Sequence, residues 1–342
     1  MTIQDGIESP RLPNMPDHAL IGEAAKIPIK APTPVISVSP IILPAPDRII
    51  DLHIRVSAPT VGENLPIVLL SHGQGRSNNL SSLNGYGPLV NFWAARGIVV
   101  IQPSHLSSKT LNLGASTAPD APLFYRSRVL DMKLILDNLD KIEAAFPQLQ
   151  GRLDHSRIAV AGHSMGGNTA SLLLGARCID PIDGSEINLH DRRIKAGVLL
   201  AAPGDGRNGD GLTELVKEKF GFMKTQIHAE METPTLVVTG EEDGASFLTT
   251  RGAEFHADAY HFSKGPKSLL TIAGGKHGLG GISGYDTAEA ANDESPERVG
   301  VTQRLTWAYL YSQFYPEDSA WVTAVDALVC GIWVVEETAK MY

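Results

Sequence analysis

Apolar and polar positions divide the chain into elements before any chemistry is considered. From Arg48 to Pro59 ("RIIDLHIRVSAP") they alternate, the period of a strand with one covered face. Leu65–Gly73, Gly97–His105, Arg157–Gly162, Ile194–Gly204, Thr233–Gly240 and Lys267–Gly275 are instead short and almost wholly apolar. Strands read that way when helices cover both faces of a parallel sheet. Between these runs, Tyr86–Arg96, Phe124–Phe146, Asn168–Ala176 and Pro296–Tyr315 have helical spacing or composition. Leu130, Leu134, Leu139 and Ile142 are expected on one face of a single long helix over Phe124–Phe146. The pattern predicts an α/β protein: a mostly parallel central sheet, an antiparallel N-terminal edge and helices on both faces.

The ends read differently. Residues 1–46 carry nine prolines and little periodicity, so they are expected to form an extended surface arm, with one domain over 47–342. Ala320–Val335 is too short and too interrupted, by Asp326, for a membrane span, and reads as a terminal helix on the core. A net charge of −9 without clustered Lys or Arg argues against nucleic acid or an anionic membrane as partner. Two cysteines, Cys178 and Cys330, make no disulfide framework and no metal spacing, and are expected as buried thiols. The N-terminus lacks a basic patch followed by an apolar stretch. A soluble, cytoplasmic protein is the expectation.

The chemistry concentrates at Ala159–Ser171, "AVAGHSMGGNTAS", where a strand-like run meets a helix-like one. A serine hydroxyl reacts only when a base takes its proton and donors hold the oxyanion that follows. A tight turn between strand and helix serves both needs. Gly162 and Gly166, two residues either side of Ser164, give it room, and the helix N-terminus offers the Met165 N–H as an oxyanion donor. A helix N-cap serine beside packing glycines is the competing interpretation.

"GHSMGG" (Gly162–Gly167), with its strand and helix, resembles the nucleophile elbow of the α/β-hydrolase superfamily, and the resemblance runs from about Arg48 to Tyr315. It implies three further parts. "LLSHGQG" (Leu69–Gly75) would place the Gln74 N–H as a second oxyanion donor, with His72 orienting the loop. "VVTGEEDGAS" (Val237–Ser246) would supply the acid as Asp243, with Glu242 and Glu241 as rivals and Asp205 as a more distant one. "TIAGGKHGLGG" (Thr271–Gly281) would supply the base as His277. The order Ser164, Asp243, His277 is that of the superfamily.

The resemblance implies a serine hydrolase acting on a small-molecule carboxylic ester with an apolar or aromatic part, through an acyl-enzyme. No metal or organic cofactor is implied. Only about 29 residues (205–233) separate the strands around which lids are inserted, so a small cap is expected. That loop and the "SHGxG" segment look like the dienelactone-hydrolase, chlorophyllase and platelet-activating-factor-acetylhydrolase branch, and the elbow is also similar to cutinase-like polyester hydrolases. Thioesterase, amidase or acyltransferase chemistry, and a non-catalytic binding protein on the same scaffold, are the alternatives. "GDGRNG" (Gly204–Gly209) satisfies a dinucleotide pattern, but Asp205 would repel a pyrophosphate. "HADAYH" (His256–His261) is not spaced for zinc. Thr287–Gly300 reads as a solvated, charged loop opening a helix.

Overall fold

A computed structural model of the chain describes residues 18–114, 116, 118, 120–284, 286, 293–327 and 333–337. Its strands are β1 (Val35–Leu43), β2 (Leu52–Pro59), β3 (Leu65–Ser71), β4 (Val99–Pro103), β5 (Leu153–His163), β6 (Arg177–Ile179), β7 (Glu186–Asn188), β8 (Ile194–Leu200), β9 (Thr235–Gly240), β10 (Lys267–Ile272) and β11 (Trp333–Glu337). Its helices are α1 (His18–Ile21), α2 (Gly87–Ala94), α3 (Tyr125–Leu136), α4 (Leu139–Ala145), α5 (Met165–Leu174), α6 (Glu214–Lys219), α7 (Asp258–Phe262), α8 (Pro296–Phe314) and α9 (Ala320–Asp326).

Among the described residues nine strands join one sheet in the order β1-β2-β4-β3-β5-β8-β9-β10-β11, and β6 and β7 pair separately. From β4 to β10 neighbours are parallel, while β1, β2 and β11 attach antiparallel. The apolar strand runs split by alternation. Ile67, Leu69, Val99, Ile101 and Val160 pack toward the side that α3, α4 and α5 cover. Val68, Leu70, Val100, Ala159 and Ala161 pack with α2, α8 and α9 on the other. The chain therefore has an α/β architecture with both sheet faces covered, and its parallel strands all end at one edge. Strand order reverses between β3 and β5, the kind of crevice where open α/β sheets place a ligand.

Three expectations need correction. Part of the proline-rich stretch is the sheet's edge: β1 pairs with β2, and its register shifts between Val38 and Ile41, around Pro40. A bulge on an edge strand is where a strand tolerates proline. The helix expected over Phe124–Phe146 breaks into α3 and α4, and Leu130 is exposed. Val129, Met132 and Ile135 face inward instead, in company with buried Arg128 and Asp131. Those two charges on the covered face hid the true periodicity. The terminal helix ends at Asp326, and Trp333–Glu337 runs on as β11 against β10.

Cys178 is a buried free thiol, and Cys330 lies outside the described residues. No helix among the described residues is long and apolar enough to cross a membrane.

Candidate active site

Ser164 stands between β5 and α5 with φ 54 and ψ −119, backbone angles that a non-glycine residue adopts only when its surroundings enforce them. A Cβ on Gly162 would run into the Gly166 carbonyl, and one on Gly166 into the Ser71 carbonyl at the end of β3. Glycine at both positions is thus a packing requirement. Met165 is the first residue of α5, so its N–H has no acceptor within the helix and adds to the helix's positive end.

The loops after β9 and β10 bring Asp243 and His277 to this turn. His277 Nε2 lies 2.9 Å from Ser164 Oγ, and its Nδ1 lies 2.9 Å from Asp243 Oδ2. A carboxylate only accepts, so Nδ1 carries the proton and Nε2 presents its lone pair to the Ser164 hydroxyl. Asp243 is fully buried. Burial works to raise its pKa, but the hydrogen bond from His277 leads the influences that outweigh it and hold the carboxyl below its ordinary value.

The rivals for the acid are placed elsewhere. Glu241 and Glu242 are exposed, and Glu241 accepts from the Gly274 N–H. Asp205 pairs with His228 at 2.5 Å and takes its backbone N–H as well. The dinucleotide pattern around Asp205 is likewise occupied. Gly206 N–H donates to the Gln226 carbonyl, Asp205 N–H to Asp258, and a Cβ on Gly206 would meet the Met223 carbonyl.

His256 is a site residue that sequence reasoning missed. Its Nδ1 donates to the Ala202 carbonyl at 2.8 Å, and its Nε2 points at Asp243 Oδ2 from 3.4 Å with no hydrogen-bond partner. Burial works to lower its pKa, and in the neutral ring, with the proton on Nδ1, the Nε2 lone pair faces the carboxylate. Asp243, His256 and His277 lie close enough to share a metal ion. The Nδ1 of His277 already serves Asp243 and its Nε2 serves Ser164, so His277 has no ring nitrogen left for an ion.

The loop carrying Gln74 is held from behind. The Gly73 carbonyl accepts from His72 Nδ1 at 2.7 Å. In a trans peptide the N–H points opposite the carbonyl, so the Gln74 N–H is directed away from His72. His72 is kept neutral, its pKa lowered to about 3 by burial first and by Arg128 second. Its carbonyl accepts from Arg128, whose other donors reach Thr169 Oγ1 (3.0 Å), Ser107 Oγ (2.5 Å) and Ser71 Oγ (3.3 Å).

Ser71, His105 and Asp131 repeat the serine–histidine–carboxylate order, at 3.0 and 2.8 Å. Here Ser71 is fully buried on a regular strand and also takes Arg128, while Arg48 takes Asp131 at 2.8 Å. That row braces the loop and has no access to a substrate. Its sequence signal was an arginine and an aspartate three residues apart on the inward face of α3.

The charged loop before α8 is not wholly solvated. Asp293 is buried and accepts from the Lys276 and Gly280 N–H groups on either side of His277, and Arg298 pairs with it at 3.4 Å. Residues 287–292 of that loop lie outside the described residues. Beside His277 the Phe247 ring stands edge-on, 5.8 Å between centroids, and is 59% exposed.

No protein-family model matches the chain, and no curated protein matches it.

Proposed function

We propose that the chain is a serine hydrolase of the α/β-hydrolase type that cleaves carboxylic esters with an apolar or aromatic part. The observation that carries this reading is the single line of hydrogen bonds Ser164–His277–Asp243 at the sheet's C-terminal edge. A hydrogen-bonded row alone does not suffice, since Ser71–His105–Asp131 has one too. Ser164 differs by its strained turn and its place at a helix N-terminus.

In the proposed cycle His277 Nε2 removes the Ser164 proton as Oγ attacks the ester carbonyl carbon. The ring becomes an imidazolium, and Asp243 balances its charge. The Met165 and Gln74 N–H groups receive the oxyanion. The imidazolium then protonates the leaving alkoxide, and an acyl-serine remains. Water, deprotonated by the same ring, releases the acid and restores the serine. The short segment between β8 and β9 and the Leu69–Gly75 loop favour the dienelactone-hydrolase, chlorophyllase and platelet-activating-factor-acetylhydrolase branch over a large-lidded lipase.

The test is the initial rate on p-nitrophenyl esters of graded acyl length, wild type beside Ser164→Ala. Turnover by wild type and a loss of several orders of magnitude in the variant are expected. Equal, slow rates combined with no covalent labelling by a serine-directed phosphonate would overturn the proposal and leave a binding protein. Faster turnover of thioesters or anilides, or transfer to an added alcohol, would keep the nucleophile and change the acyl-transfer class.

A further inference from the structure

Two buried side chains outside the proposed triad join its parts. Tyr86 opens α2 with φ 61 and ψ 21 and has no solvent exposure. Its backbone N–H donates to the Ser283 carbonyl at 2.9 Å, in the loop that follows His277. Its phenolic oxygen lies 2.9 Å from the Gly73 nitrogen and 2.8 Å from His163 Nδ1. His163 Nε2 lies 2.7 Å from the His277 carbonyl oxygen.

For a neutral His163 the direction of every bond in this chain is fixed. A carbonyl only accepts, so His163 carries its proton on Nε2. Its Nδ1 is then a lone pair and must accept, which fixes the Tyr86 O–H as donor. The phenolic oxygen in turn accepts the Gly73 N–H. The path runs Gly73 N–H to Tyr86 O–H to His163 to the His277 carbonyl. Its ends lie on the loop that presents Gln74 and on the loop that presents His277. His163 directly precedes Ser164 in the turn. One network therefore touches all three segments whose relative placement sets attack geometry.

We propose that Tyr86 and His163 are positioning residues that hold the Gln74 loop and the His277 loop in register with Ser164. This rests on the acyl-transfer reading above. A neutral His163 is required, because a second proton would remove the acceptor for Tyr86. Burial, and secondarily the His277 ring 5.1 Å away, lower its pKa to about 3.

Three variants separate positioning from bulk packing. Tyr86→Phe keeps the ring and deletes the hydroxyl. His163→Leu fills the space without hydrogen bonds. His163→Gln restores one acceptor and one donor on a single terminal amide. Tyr86→Phe and His163→Leu are expected to lower kcat on an ester substrate about 10- to 100-fold with KM within about twofold, as small misplacements do. His163→Gln is expected to recover most of the loss. Nitrogen-15 NMR of wild type should show His163 as the Nε2–H tautomer, unprotonated at pH 5. Wild-type kcat in Tyr86→Phe, equal losses in His163→Gln and His163→Leu, or an Nδ1–H tautomer would overturn the relay. A wild type that neither hydrolyses esters nor labels with phosphonate would sink the acyl-transfer reading by itself, and the tautomer would still decide the relay.

Discussion

Replacing Asp243 by asparagine tests the proposed acid at constant shape. In the proposed cycle the carboxylate faces an imidazolium across 2.9 Å. Unit charges at that spacing in an effective dielectric of about 20 attract by roughly 6 kcal/mol, an upper bound because both charges are delocalised. As an upper bound that is about four decades of rate. A second effect acts in the same direction. Asp243 Oδ2 is shared between His277 Nδ1 and the orphaned Nε2 of His256. An amide nitrogen in its place can donate one hydrogen to each ring. His277 would then accept at Nδ1, carry its proton on Nε2 and have no lone pair for Ser164. The variant gains a bond to His256 and loses a buried charge, so its fold should persist. The expected result is a kcat on p-nitrophenyl esters reduced about 10³- to 10⁴-fold with a thermal midpoint equal to or above wild type. Exposed Glu242→Gln should stay within about twofold. An asparagine variant retaining more than a tenth of wild-type kcat, or a Glu242→Gln that loses as much, would place the acid elsewhere. A collapsed midpoint would refute the account of His256.

Two further outcomes follow from the same site. His72 and His163 have pKa values of about 3 in the folded chain against 6.5 for an ordinary histidine, so between these values the unfolded chain binds more protons and stability falls as pH drops from 6.5 towards 3. At pH 5 the two together should cost about 4 kcal/mol relative to pH 7.5, read by urea or thermal melts, and a midpoint unchanged across that range would contradict their neutral burial. Phe247, exposed beside His277, is placed to contact an apolar or aromatic acyl group. Phe247→Ala should lower kcat/KM on benzoyl or octanoyl esters roughly tenfold and on acetate by less than about twofold, and uniform loss across the series would remove it from the substrate's path.

The sequence was informative where a single physical cause dominated a segment. Central strands such as Leu65–Ser71 and Thr235–Gly240 are buried on both faces, so their composition alone marks them. That Ser164, Asp243 and His277 meet was legible because the steric demand at Gly162 and Gly166 is local, and because the resemblance expects a partner after each of two late strands. Legibility failed where distant contacts set the outcome. Arg128 and Asp131 are buried because the Ser71–His72 corner and Arg48 receive them, and α3 alone says nothing of either. Asp293 sits in a run of charges whose sequence reads as solvated, yet its partners are N–H groups of the His277 loop. His256 lies in a short segment without ligand spacing, and only the fold brings it to Asp243.

Behind the proposed site the chain uses neutral imidazoles as two-ended connectors. A neutral ring has one donor and one acceptor held at a fixed separation, so it can tie one loop to another in a defined direction. In His72, His163 and His256 the donor end meets a backbone carbonyl, of Gly73, His277 and Ala202 respectively, and the tautomer is thereby decided. The lone pair is left at a known place in each. It meets the His105 N–H for His72 and the Tyr86 O–H for His163. For His256 it meets the Asp243 carboxylate, so the one mismatch in the set falls on the proposed acid. Protonating His72 or His163 would exchange an acceptor in use for a buried charge, and all three rings are shielded from water. His277 differs: its side chain is 26% exposed. Among these rings, the imidazole that must gain and lose a proton in the proposed cycle is the one open to solvent.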